Sequence, residues 1–223
     1  MGPAARMFAT GGGVLALAWL SFLSVSYGVA GSASANASRE LERMSRAPGQ
    51  GSGEWWKEDL RSAIKELPKD PTANELLAVG RTANDNDPDQ LKAAREHLVT
   101  AIASRPGSGY TWANLAAVKY RLGETDGMFE SALVHAMALA PFEAEVQRNV
   151  VDYGLAVVDD VKPETRAAIE RAVAVGMKRN APEILQISAR RGKLGPACRH
   201  LDGVPRPAAS KWTQLCQSME ATS

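Results

Sequence analysis

The chain has 223 residues, a formal net charge of +1 and only 6% aromatic residues. This length favours one modest domain with additional segments, and the near-neutral charge argues against a nucleic-acid-binding protein, which usually carries a basic face. Alanine, leucine, glutamate and arginine are frequent while strand-forming patterns are few, so we expect an all-α fold.

The first predicted element is an apolar helix near the amino terminus. No charged residue stands between Arg6 and Arg39, and residues 7–30 supply the roughly 20 apolar residues that span a bilayer. We therefore expect residues 1–30 to hold a single transmembrane helix. The alternative is a cleaved signal peptide, because residues 33–37 contain small-residue sequences that resemble cleavage sites. Both of these would export the rest of the chain. A third possibility is a buried helix of a soluble fold, which would not.

Residues 31–53 are predicted to link this segment to a folded domain. Glycine, serine and proline concentrate in 47–53, a composition that is typical of a flexible linker. Apolar residues at helical spacing resume at Trp56, and the folded domain is predicted over 54–203. The pair Trp55 and Trp56 is either a membrane-interface contact or a packed Trp56 beside a half-exposed Trp55.

Start and stop signals divide the folded domain into short helices. Prolines and glycines mark most of the boundaries, as at Pro68, Gly123 and Pro141. The pattern predicts helices over 54–67, 71–83, 88–104, 109–122, 126–140, 143–159 and 163–180, with shorter helices after residue 182. Because the connections are short, successive helices are expected to be antiparallel neighbours.

One stretch of the domain repeats itself. A trio of Leu, Ala and Pro recurs after a shift of 35 residues, once as Leu98, Ala101 and Pro106 and again as Leu133, Ala136 and Pro141. A fixed period of this length is typical of paired helices stacked into an array. A single pair cannot bury its apolar face alone, so stacking would supply the core.

This stretch resembles the tetratricopeptide repeat family. The matching positions are Ala94, Leu98, Ala101 and Pro106, then Trp112, Leu115, Ala116 and Gly123, then Phe129, Leu133, Ala136 and Pro141. The resemblance covers 71–141 well and 142–200 only in architecture. Lys119 departs from it, because it occupies a position that the family fills with an aromatic residue. The resemblance implies a short α-solenoid of antiparallel helix pairs after the membrane segment.

The resemblance also implies a function. Arrays of this kind bind other molecules, so we expect a non-catalytic scaffold with a protein or peptide partner on the face formed by the first helices of the pairs. The candidate partner-binding residues on the helix over 109–122 are Tyr110, Asn114, Lys119 and Arg121.

The whole layout is similar to small membrane-anchored repeat proteins of bacterial cell envelopes, some of them accessory to polysaccharide synthesis or export. We therefore expect a single-pass protein of the bacterial inner membrane, held there through residues 7–30, with its C-terminal domain in the periplasm. One alternative is a structural subunit of a larger membrane complex that is recognised through the transmembrane helix and linker. Another is a carbohydrate-modifying enzyme.

No nucleophile, phosphate-binding or metal-ligand motif stands out, so no enzyme activity, cofactor or metal is expected. Cys198 and Cys216 are the only cysteines. In an exported chain they predict a disulfide that ties the tail over 204–223 to the last repeat, and two separate thiols are the alternative.

A basic cluster lies close to Cys198. It consists of Arg190, Arg191, Lys193, Arg199 and His200. The cluster is either a solvated helix end, where cations complement the helix dipole, or a surface for anionic headgroups or an acidic partner.

Overall fold

The computed structural model describes residues 3–46, 55–82, 87–203 and 212–217, with side chains from residue 17 onward except at residue 45. Every regular element within these ranges is a helix, which confirms the all-α prediction. The helices are α1 Pro3–Arg46, α2 Trp55–Glu66, α3 Pro71–Thr82, α4 Pro88–Ser104, α5 Gly109–Arg121, α6 Gly127–Leu139, α7 Ala144–Leu155, α8 Pro163–Arg190, α9 Gly195–Cys198 and α10 over 212–217, with a 3-10 turn at Leu201–Gly203. The chain forms two compact units, Met1–Gly80 and Arg81–Ser223.

The first unit is built on the second half of α1 together with α2 and α3. Ala30, Ala33 and Ala37 form a buried stripe at helical spacing, and they share one core with Trp56 and with other apolar residues of α2 and α3. Because alanine lets two helices approach closely, α1 and α2 pack along this stripe. Residues 31–46 are therefore helical and partly buried, which corrects the linker prediction for that stretch, while 47–53 lies outside the described residues.

Trp56 is 1% exposed in this core, whereas Trp55 is 51% exposed. Of the two arrangements considered from the sequence, the structure therefore has the one in which Trp56 is packed in the core and Trp55 is half-exposed. Gly80 is needed for it, because a Cβ there would stand only 2.1 Å from the Trp56 ring.

The turns of α1 before the alanine stripe expose large apolar side chains. They are Leu17, Trp19, Leu20, Phe22, Val25, Tyr27 and Val29. Among the residues that the structure describes, no helix is both long and apolar enough to cross a membrane. The transmembrane helix predicted within residues 1–30 is thus not found among the described residues.

The second unit consists of helices that pack in sequence order. α5 contacts α4, α6 and α7, and α8 contacts α6, α7 and α9. α5 and α7 therefore touch each other, as do α6 and α8. Their core includes Leu115, Leu133, Val150 and Ile169, none more than 1% exposed.

The helix predicted to end at 180 does end there. α8 is interrupted at Asn180, whose φ of −146° and ψ of 62° are not helical, and Pro182 follows two residues later. Arg105 and Ala140 end α4 and α6 with nearly the same backbone angles. α8 is thus two helical segments, and the chain bends between them with backbone angles like those at the ends of α4 and α6.

Three of the helix connections share one side-chain contact. Asn74 donates to the carbonyl of Pro68 at 3.0 Å, Trp112 Nε1 to that of Pro106 at 2.8 Å, and Gln147 to that of Pro141 at 2.6 Å. In each case the donor lies six residues after the proline. A residue in the first turn of each helix therefore satisfies a carbonyl of the preceding turn.

Candidate partner-binding surface

The structure places three of the four predicted binding residues on one side of α5. Tyr110, Asn114 and Arg121 are separated by four and seven residues, a spacing that puts side chains on one helix face. α7 packs beside α5. We call the surface that these two helices present the α5–α7 face and define it by Tyr110, Asn114, Tyr120, Arg121, Asp152 and Tyr153.

Tyr110 stands at the amino-terminal end of this face. It is 38% exposed, and its hydroxyl donates to Glu143 Oε2 at 2.5 Å, which ties the start of α5 to the residue that precedes α7. The hydrogen bond to Glu143, burial and the negative charge of Glu143 together raise the pKa of Tyr110 to about 12. Asn114 is half-buried one turn further along.

Lys119 lies on the opposite side of α5 from Tyr110. It follows Tyr110 by nine residues, which places it about 180° around a helix of 3.6 residues per turn. Its side chain is 3% exposed, and its Nζ donates to Glu124 at 2.7 Å and to Asp126 at 3.0 Å. Lys119 is therefore a buried ion-pair residue of the turn between α5 and α6, which corrects its prediction as a partner-binding residue.

These ion pairs favour the charged carboxylates. The hydrogen bond from Lys119, joined by one from Arg95, lowers the pKa of Glu124 against the opposing effect of burial. Burial would raise the pKa of Asp126, but the backbone N–H of Phe129 and the ammonium of Lys119 outweigh it, and the pKa is lowered.

The other end of the α5–α7 face joins two tyrosines to two arginines. The rings of Tyr120 and Tyr153 lie 5.2 Å apart, and the guanidinium of Arg191 stands 5.3 Å from the centre of the Tyr120 ring. Arg191 Nη1 donates to the Tyr120 hydroxyl at 3.2 Å, and its Nε donates to Asp152 Oδ1 at 2.7 Å. Arg190 reaches the same oxygen of Asp152 at 2.9 Å.

This end of the face has a positive balance, because one carboxylate faces two guanidinium groups. Arg121, on α5, is also close enough to act on Tyr153. Burial and then Asp152 raise the pKa of Tyr153, and Arg121, Arg191 and Arg190 oppose that shift. Arg191, one member of the basic cluster seen in the sequence, is therefore partly buried against the Tyr120 ring.

Tyr120, Asp152 and Tyr153 belong to this face, although the sequence did not predict them as binding residues. Tyr120 and Tyr153 stand about one repeat length apart, and this separation is the signal that could have indicated them. The contribution of Arg190 and Arg191 needed the break at Asn180, which lets the last segment of α8 pack as a helix of its own.

The second unit also holds an apolar cavity of about 350 Å³ between α4, α5 and α6. Val99, Trp112, Leu115 and Met128 are among its lining residues. Trp112 stacks on His135 with the ring centres 4.6 Å apart. No predicted binding residue lies in its lining.

Cys198 and Cys216 are joined by a disulfide with Cα atoms 5.7 Å apart. The bond holds α10 to α9, and Cys216 is 5% exposed. Among the described residues, no group of three or more His, Cys, Asp or Glu side chains is placed to hold a metal ion.

Comparison with known proteins gives no relative. No protein-family model, no curated protein and no solved structure matches this chain significantly. The resemblance to tetratricopeptide repeats therefore stays a prediction from the residues that carry it.

Proposed function

We propose that this chain is a membrane-tethered, non-catalytic scaffold of tetratricopeptide-like helix pairs that binds a protein or peptide partner on its α5–α7 face. The observation that carries the proposal is the composition of that face. The neighbouring helices α5 and α7 present aromatic and polar side chains that are not fully buried in the core, among them Tyr110, Asn114 and Tyr153. Such groups give hydrogen bonds and large contact areas to a bound peptide.

The size of the face suits a short extended segment. Tyr110 and Tyr120 are separated by ten residues of α5, which corresponds to about 15 Å along the helix axis. An extended peptide advances by about 3.3 Å per residue, so roughly four to five residues would cover the face.

The tether is proposed from the first unit and from the cysteines. The exposed apolar side chains from Leu17 to Val29 are of the kind that a bilayer or another apolar partner would cover. A disulfide between Cys198 and Cys216 is typical of an oxidising compartment. We propose an envelope location with the second unit in the periplasm. A role in polysaccharide synthesis or export rests on the similarity of layout alone.

Site-specific photocrosslinking tests the binding face. A photoreactive amino acid replaces Asn114 in the full chain, and a control chain carries it at Arg171, an exposed position on α8. After irradiation of native membranes, mass spectrometry should identify one partner that is enriched from position 114. Equal or absent enrichment from both positions contradicts the proposed face.

A second candidate function is a structural subunit that a larger membrane complex recognises through α1. The exposed apolar side chains of α1 favour it. Replacing Leu17, Phe22 and Val25 together by Gln leaves the buried stripe of the first unit intact. Loss of the crosslinked partner in that variant, with the chain still membrane-bound, would favour the subunit over the scaffold.

A further inference from the structure

The guanidinium groups of Arg190 and Arg191 have N–H donors that no described residue accepts. An arginine carries five N–H donors. Arg191 donates from Nε to Asp152 and from Nη1 to Tyr120, and Arg190 Nη2 forms an ion pair with Asp152. Their other N–H groups donate to no described residue. Both contacts to Asp152 converge on Oδ1, so one carboxylate oxygen serves two cations.

The rings of Tyr120 and Tyr153 lie at the same end of the α5–α7 face as Arg191. Tyr120 and Tyr153 are tilted against each other by 45°, both are half-buried, and Arg191 stands over the Tyr120 ring. The Tyr153 hydroxyl makes no hydrogen bond to any described residue and is able to donate one. Arg190 and Arg191 lie near enough to Tyr153 to act on it electrostatically. A carboxylate bound by the two guanidinium groups would therefore have the Tyr153 hydroxyl nearby as a further donor, and guanidinium groups form strong charge-assisted hydrogen bonds with carboxylates.

We propose that this end of the α5–α7 face binds a carboxylate side chain of an acidic peptide segment in the partner, with Arg190, Arg191 and Tyr153 as donors. The proposal rests on the proposed function and names the chemistry of its ligand. Asp152 is the positioning residue, because it holds both arginines without neutralising them.

The partial burial of Arg191 and of the two tyrosines favours a peptide over a lipid headgroup. Attraction to a bilayer surface comes from basic side chains that are well exposed. Here Arg190 is 60% exposed, but Arg191 is only 23% exposed and the tyrosines are half-buried. A protruding acidic side chain can reach a partly buried guanidinium group, and the tyrosine rings would accept an apolar neighbour of the acidic residue.

Binding of a defined peptide to the full chain in detergent micelles tests the proposal. The probe is a fluorescent peptide of alternating Glu and Phe with both ends capped, and its match has Gln in place of Glu. Fluorescence anisotropy should show that the Glu peptide binds more tightly. Raising the salt from about 0.1 M to about 1 M should weaken it, because the screening length falls from about 10 Å to about 3 Å.

Two variants and one control locate the site. Arg190→Gln and Tyr153→Phe should each weaken the Glu peptide about tenfold, as expected for loss of a hydrogen bond to a charged group. Arg199→Gln is the matched control, because Arg199 is 61% exposed and also faces a carboxylate, that of Glu170. It should leave the affinity unchanged. Circular dichroism should show wild-type helix content in all three variants.

Three results would overturn the inference. They are equal affinity for the Glu and Gln peptides, an unchanged affinity in both variants, and a selective loss of binding to phosphatidylglycerol vesicles in Arg190→Gln while peptide binding persists. The last result would assign the arginines to anionic lipid. If the crosslink from position 114 survives while the Glu peptide does not bind, the proposed function stands and this inference fails.

Discussion

At the scale of single residues, the turn after α5 depends on a buried cation. Lys119 donates to Glu124 and Asp126, and the carbonyl of Lys119 accepts from the backbone N–H of Glu124 at 2.9 Å. Gly123 has a φ of +74°, the left-handed conformation that ends the helix and turns the chain toward α6. Asp126 then caps α6 through the N–H groups of Met128 and Phe129. One ammonium thus joins the end of α5 to the start of α6.

Replacing Lys119 should destabilise the second unit rather than abolish binding. Lys119→Ala removes the buried stem and both ion pairs, and we expect a loss of about 2 kcal/mol in the free energy of unfolding. Lys119→Met keeps a long apolar side chain in place, so its loss should be smaller. Urea unfolding followed by circular dichroism measures both, and capture of the partner should be equal in Lys119→Met and wild type.

Lys119 also makes the stability of the fold depend on pH, through its contact with Glu124. The folded chain holds the pKa of Glu124 below its ordinary value of 4.5. A depressed carboxyl pKa stabilises the fold fully above the unfolded value, and this contribution is lost as the pH falls below about 4.5 and through the folded value. Wild-type stability should therefore drop more steeply below this pH than that of Lys119→Met. Parallel curves for the two chains would contradict the assignment to Lys119.

A further prediction concerns the ionisation of Tyr110 at high pH. Its pKa is raised to about 12 from an ordinary value of 10.0, with the hydrogen bond to Glu143 as the largest cause. Its stabilising contribution is therefore complete below pH 10 and is lost as the pH rises through 12. Ultraviolet titration of wild type minus Tyr110→Phe should isolate one tyrosine that ionises near 12. Glu143→Gln should bring that ionisation back toward 10, whereas an unshifted curve would mean that Glu143 is not the cause.

At the scale of the helices, the repeated turn is closed by different side chains that act alike. Asn74, Trp112 and Gln147 each donate to a proline carbonyl six residues earlier. The Trp of the tetratricopeptide pattern is therefore one of several donors that satisfy this carbonyl. Asn74 and Gln147 are 2% and 3% exposed, so their amides are buried and need this partner.

Gln147→Leu should show how much this contact stabilises α7. The substitution keeps an apolar stem but leaves the Pro141 carbonyl without its partner, which costs about 1–3 kcal/mol when the group is buried. Gln186→Leu, at an exposed position of α8, is the control and should change the unfolding free energy little. Similar losses in the two variants would show that the amide of Gln147 has no special role.

The helices were predictable because local signals fix them. Pro71, Pro88 and Pro163 start helices, and the apolar spacing between such signals agrees with the buried stripes. The orientation of a face within a helix was harder to predict, and Lys119 shows why. A lysine at a core position looks like a surface residue until the carboxylates that pair with it, on the following turn, are brought beside it.

At the scale of the whole molecule, contacts between residues distant in the sequence determine which segments are buried, and composition does not reveal these contacts. Residues 31–46 are rich in small residues and look like a linker, yet Ala33 and Ala37 are buried because α2 offers a surface that fits a small-residue stripe. The α5–α7 face likewise gains Arg190 and Arg191 from the far end of α8. Sequence patterns predict each helix from its neighbours in the chain, whereas these contacts join residues that are distant in it.

The disulfide gives the last prediction, because it alone fixes the position of α10 covalently. Cys198 and Cys216 are separated by 18 residues. Closing a loop of this length stabilises a fold by about 3 kcal/mol in the chain-entropy model. Reductant should therefore lower the urea midpoint of the wild type toward that of the Cys198→Ala/Cys216→Ala chain. The double variant should itself be insensitive to reductant. If reductant leaves the wild-type midpoint unchanged while thiol labelling shows both cysteines reduced, the bond does not stabilise the second unit, and α10 is held by its other contacts.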